Sequence, residues 1–182
     1  MEKYRELIRK LEQNGVCFAE GLSDKELFDI QYEYNVNFPK SLKVFYKAGL
    51  PISDGFHNWR DLSKKNIKKI KTMMNYPFDS VRENYDEIDW INDLDEEFND
   101  KKSIIYEKLN NAPSLIPIFS HRYISTYEEE TEDTPIFSIN DVDVIYYGEN
   151  LYSYLQMEFG LKDYSDMDEE KIAPVPFWSS LI

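Results

Sequence analysis

The sequence has a single cysteine, Cys17, so no disulfide can form within the chain. That excludes a disulfide-stapled scaffold and suits a reducing cytoplasm, the compartment expected here. Histidine is almost as scarce. His57 and His121 stand in GFHNW and FSHRY, with no metal-ligand spacing, so neither a metal centre nor any other cofactor is expected. Six glycines leave little material for phosphate-cradling loops, and no G-x-x-x-x-G-K, G-x-G-x-x-G or G-x-S-x-G occurs. No run of about 18 apolar residues exists, which excludes a helical membrane span. The N-terminal MEKYRELIRKLEQNG has no apolar stretch of the kind a secretory signal needs.

What is present is acid and aromatic character. The 182 residues suit one domain over 1–182, and 42% apolar content is enough to build a core. Aromatics make up 15%, with 14 tyrosines. The net charge of −14 is unevenly placed: residues 1–82 hold 15 Lys/Arg and 11 Asp/Glu (+4), residues 83–182 hold 6 and 24 (−18). An acidic half repels nucleic acid and anionic membranes and attracts a basic partner, although solubility alone also accounts for it.

Taken in order, residues 2–14 have the periodicity of an amphipathic helix, with Tyr4, Leu7, Ile8 and Leu11 on one face and Gly15 as its stop. Val16–Phe18 is an apolar connector in which Cys17 is expected to be a buried, inert thiol. Residues 23–34 form a second helix, opened by the capping box Ser23…Glu26. Its stripe runs through Leu27, Ile30, Gln31 and Tyr34. Pro39 starts a third helix, with Leu42, Phe45 and Tyr46 inward, which stops at Gly49. A loop over 50–62 precedes a basic helix capped by Ser63, whose lysines are expected to face solvent or pair with the acidic half. Residues 78–110 have helical spacing and a dense acidic face.

The stretch 114–148 is the one part with sheet character. Leu115–Phe119 holds Pro117, which confines it to a sheet edge or a strand start, and His121–Ile124 would extend it. Pro135–Ile139 and Val142–Tyr147 form a hairpin around Asn140-Asp141. Asn150 caps a last helix that stops at Gly160, and Phe177 and Trp178 in the tail dock on the body. The rest of the chain, before this stretch and mostly after it, has helical character. Asp141-Val142-Asp143 matches a DxD triplet, but two acids flanking a turn also fit a solvated hairpin.

The segment GLSDKELFDIQYEYNVNFPKSLKVFYKAG resembles the N-terminal signature of the SUKH superfamily (Smi/Knr-like), through Gly21, Glu26, Glu33, Phe38, Pro39 and Gly49. LIPIFSHRYI is similar to that family's Pro-Ile-aromatic strand, and TPIFSINDVDVIYYG with NLYSYLQMEF to its next hairpin and final helix. Ser120-His121 departs from the glycine frequent after that strand, and the acidic stretch at about 75–112 reads as an insert. The resemblance implies a SUKH-like α+β fold, with a mainly antiparallel sheet of about four to six strands packed by several helices, and a non-catalytic binding module. Many bacterial members are immunity proteins that neutralise a cognate toxin, often a nuclease. No active-site residues carry over.

The expected function is therefore an antitoxin that covers the basic surface of a toxin, as a monomer or weak homodimer, with no nucleic-acid or membrane partner. The candidate contact residues are Asp86, Glu87, Asp89, Trp90, Asp93, Asp95, Glu96 and Glu97, together with Tyr127, Glu128, Glu129, Glu130, Glu132 and Asp133. Trp90 or Tyr127 would serve as the aromatic anchor. A regulatory interaction scaffold is the alternative, followed by an enzyme that uses carboxylates and His121.

Overall fold

A computed structural model describes residues 1–88, 90, 100–127, 131 and 133–182. The fold is α+β. Six α-helices are described: α1 (Glu2–Gln13), α2 (Asp24–Tyr34), α3 (Lys40–Ala48), α4 (Lys64–Glu83), α5 (Lys101–Asn110) and α6 (Leu151–Glu158). Strands β1 (Phe18–Ala19) and β2 (Leu50–Pro51) pair antiparallel. Strands β3 (Leu115–Phe119), β4 (Arg122–Ser125), β5 (Ile136–Asn140) and β6 (Asp143–Gly148) form an antiparallel meander in sequence order.

The helix ends follow the local chemistry of the chain. Gly15 has φ +88, its N–H donates to Glu12 O, and the Val16 N–H donates to Leu11 O. That is a Schellman motif, and Val16 and Leu11 are both in the core beside it. Ser23 caps α2 with both halves of the capping box in place. Asn35, at φ 50, ends α2, and Gln31 then ties the turn: its amide accepts from Phe38 N–H at 2.8 Å and donates to Leu27 O at 3.2 Å. Helix α3 ends at Ala48 with Gly49 as its cap, as expected. Gly49 has φ 179, an extended conformation open to any residue. What restricts it is space, since an added Cβ would lie 3.0 Å from Ile8 Cδ1. Gly21 is tighter still: an added Cβ would meet Lys47 O at 2.1 Å, where the Leu22 N–H donates to Tyr46 O.

The basic helix and the next helical stretch are one element. α4 begins at the Ser63 cap and continues to Glu83 through Pro77. Proline lacks the N–H that would bond Met73 O four residues back. The Tyr123 hydroxyl, from β4, donates to that carbonyl at 3.2 Å instead. Helix α4 therefore passes over the sheet where the sheet itself supplies the missing donor.

The sheet is covered on both faces. Ile116, Ile118, Ile124 and Ile136 join α1, α2, α3 and α6 in one apolar cluster, with Trp59 and Leu155. Leu115, Tyr123, Phe137, Ile139 and Val144 point the other way, into a second cluster with Val81, Ile88, Ile105, Leu109, Val175 and Trp178. The period-2 alternation of the strands thus splits the core into two. The stretch 75–112, read above as an insert, starts inside α4 and supplies Val81, Ile88, Ile105 and Leu109 to the second core. Trp178 is fully buried, its indole N–H donating to Pro113 O at 2.8 Å and its ring edge-on to Phe78 at 5.0 Å.

Two expectations need correction. His121–Ile124 does not extend the strand before it. The chain reverses at Ser120, φ 48, and Arg122–Ser125 is a separate strand. Cys17 is exposed, not buried. Extended backbone alternates, so the inward positions go to Val16 and, in part, Phe18. Pro117 lies on the edge strand as expected. That edge is shielded by Phe56, which bridges to Phe119, and by Gly55 O, which accepts from Ser120 N–H at 2.8 Å.

Candidate partner-binding face

The charge segregation of the sequence survives folding. Lys47–Asp24, Arg60–Glu26 and Lys71–Glu33 tie three basic residues of the first half back to α2. Of the two expectations for the basic helix, solvent or the acidic half, Lys71 meets neither fully: it is partly exposed and pairs with Glu33 in its own half. Glu26 shows how tightly α2 holds its acids. The Ser23 backbone N–H, the Ser23 hydroxyl and Arg60 together pull its carboxyl down to about 2. In the second half, Arg122–Glu158, Lys162–Glu149 and Lys171–Asp168 are closed among themselves.

The two expected contact patches fall at opposite ends of β5. Tyr127 and Asp133 belong to the connection entering β5, and Glu87 and Trp90 lie beside the turn leaving it. Five residues of strand separate them by roughly 17 Å. The C-terminal tail joins the two ends. Ala173, Pro174 and Val175 line a shallow hollow with Tyr127, Thr131 and Asp133, and Ser180 and Leu181 line a cleft with Glu87, Ile88 and Trp90. Asp89, Asp93, Asp95, Glu96, Glu97, Glu128, Glu129, Glu130 and Glu132 lie outside the described residues.

The two anchor candidates differ. Tyr127 is 38% exposed at the rim of its hollow, with its backbone N–H held by Ser125 Oγ at 2.9 Å. Trp90 is half-buried and packs against the second core. The Lys108 ammonium lies 5.4 Å from the centre of its ring, within cation–π range. The Trp90 cleft has a volume of about 440 Å³ and is completed by Val142 and Asp143. Asp143 is a site residue that the sequence presents only as a solvated hairpin acid. The β5–β6 turn that carries it beside Trp90 makes a long-range contact with no local signature.

Its DxD partner, Asp141, has a structural role. At φ 56 it accepts from the Tyr76 hydroxyl at 3.0 Å and donates its N–H to the same oxygen at 3.1 Å. His121 faces Ser120 Oγ at 3.2 Å, and its pKa is lowered by burial and then by Arg122. It makes no hydrogen bond to a carboxylate among the described residues. His57 is buried, and desolvation pulls its pKa down to about 4. Among the described residues, no group of His, Cys, Asp and Glu has the geometry to hold a metal ion. No described helix is long and apolar enough to cross a membrane.

The fold also presents an aromatic surface outside the expected patches. Phe28 and Tyr32 stack at 6.3 Å on the outer side of α2 and are 67% and 81% exposed. Their i, i+4 spacing, off the Leu27–Ile30–Tyr34 stripe, is the signal for it in the sequence.

No protein-family model, curated protein or solved structure matches the chain.

Proposed function

We propose that the chain is a non-catalytic binding protein of the SUKH type, an immunity protein that covers the basic surface of a cognate toxin. The observation that carries this reading is the pairing of acid with a partly exposed aromatic at both ends of β5: Glu87 and Asp143 with Trp90, and Asp133 with Tyr127. Interface cores use aromatic anchors, and charged rims speed association and set specificity. A patch of about 800 Å² per partner is roughly 30 Å across, enough to span both ends at once. A nuclease is the toxin class such a face suits, because a surface built to hold phosphate is basic. The other reading, a regulatory scaffold, draws support from the Phe28–Tyr32 pair, since a scaffold needs a second contact surface.

The experiment is to mix the purified chain with the product of the neighbouring gene. A complex that co-elutes on gel filtration and silences the partner's activity is expected. A partner that stays fully active in excess chain refutes the immunity reading, and co-elution without inhibition moves the assignment to the scaffold.

A further inference from the structure

We propose that the Trp90 cleft is an arginine pocket, the place where one guanidinium of the basic partner is held. The inference rests on the acidic-face reading above and narrows it to one subsite. The cleft is lined by the apolar Ile88, Val142 and Leu181, by two carboxylate residues, Glu87 and Asp143, and by Trp90. Ile88 is 5% exposed, so that part of the lining belongs to the packed body. Both carboxylate residues are exposed, and neither side chain hydrogen-bonds or ion-pairs with a described residue. A cleft lined by both exposed acids and apolar side chains suits a side chain with an aliphatic stem and a cationic head.

Arginine fits better than lysine. Its guanidinium is planar and weakly hydrated, stacks on an indole, and presents several donors to two acceptors at once. Lysine offers a compact, strongly hydrated charge that loses more on leaving water. The indole already lies beside one cation, the Lys108 ammonium, which shows that this aromatic surface tolerates positive charge. Lys108 also opposes an incoming cation, so its removal strengthens binding.

The test uses tryptophan emission. Of the three tryptophans, Trp59 and Trp178 are fully buried, so a change on adding ligand reports on Trp90. The probe is an amidated peptide of alternating arginine and glycine, compared with peptides carrying lysine or citrulline in place of arginine. Citrulline keeps the shape and removes the charge. The arginine peptide is expected to bind and to shift the emission, the lysine peptide to bind more weakly, and the citrulline peptide not at all. The double variant Glu87→Gln/Asp143→Asn is expected to lose about tenfold in affinity, and Lys108→Gln to gain. Both substitutions in the double variant are at exposed positions, and an unchanged unfolding midpoint confirms the fold. If the double variant binds as tightly as the parent while Asp133→Asn binds more weakly, the pocket is wrong and the acidic face stands. If the parent does not bind the arginine peptide, both are wrong.

Discussion

Replacing Tyr123 with phenylalanine removes one oxygen and isolates one backbone carbonyl. Pro77 leaves Met73 O without its helical donor, and the Tyr123 hydroxyl fills the vacancy at 3.2 Å. Tyr123 is 1% exposed, so the phenylalanine ring keeps the packing and only the hydrogen bond is lost. Leaving a buried acceptor unsatisfied costs about 1–3 kcal/mol. Met73 is half-buried, and partial access of water to its carbonyl places the expected loss near the lower end, about 1 kcal/mol. The decisive comparison is the cycle with Pro77→Ala. Alanine restores the N–H at position 77, so the carbonyl has a donor with or without Tyr123. Tyr123→Phe should therefore cost about 1 kcal/mol in the parent and only a few tenths in the Pro77→Ala background, a coupling well above the additivity error. Urea unfolding of the four proteins, followed by far-UV circular dichroism, measures it. Equal costs in the two backgrounds would refute the link between the helix proline and the strand tyrosine.

Two further predictions concern pH and capping. Burial holds the pKa of His57 down at about 4 against an ordinary 6.5, so the unfolded chain binds a proton that the folded chain refuses. The contribution is complete above about pH 6.5 and is lost as pH falls toward 4, amounting to roughly 3 kcal/mol. His57→Gln should flatten the stability profile in that window, and an unchanged slope would show that another group is responsible. Glu26 acts lower on the scale: its carboxyl is depressed from 4.5 to about 2, so its stabilisation is present above pH 4.5 and fades toward pH 2. Ser23→Ala removes the capping hydroxyl, one of the three groups that hold this carboxyl, and leaves the backbone N–H and Arg60 in place; it should cost about 1 kcal/mol at neutral pH, read from the denaturation midpoint.

Local chemistry is legible in the sequence, and long-range geometry is not. The caps at Ser23, Gly15 and Asn150 and the edge position of Pro117 all follow from residue type and short spacing. So does the inward face of α3. The full extent of α4 does not, because a proline at position 77 reads as a boundary, whereas a donor far along the chain on β4 satisfies the carbonyl it frees. The reversal at Ser120 is hidden because a non-glycine residue adopts φ 48 there. Of the candidate face, acid content and aromatic anchors are visible one at a time. The meeting of Trp90 with Asp143, and the tail that joins the two ends of β5, depend on contacts between residues far apart in sequence. Likewise, Gly21, Glu26 and Glu33 have structural roles, through close backbone approach and ion pairs within the first half of the chain.

If acid at the ends of β5 binds a basic protein, salt weakens the complex. The most direct test is calorimetry of the complex with the neighbouring gene's product at about 150 mM and about 500 mM salt, where the Debye length falls from about 8 Å to roughly 4 Å. The parent chain should bind more weakly at high salt. A variant neutralised at Glu87, Asp143, Asp133 and Glu128–Glu130 should bind weakly at both concentrations. An affinity unchanged by salt and by these substitutions would rule out an acidic binding face.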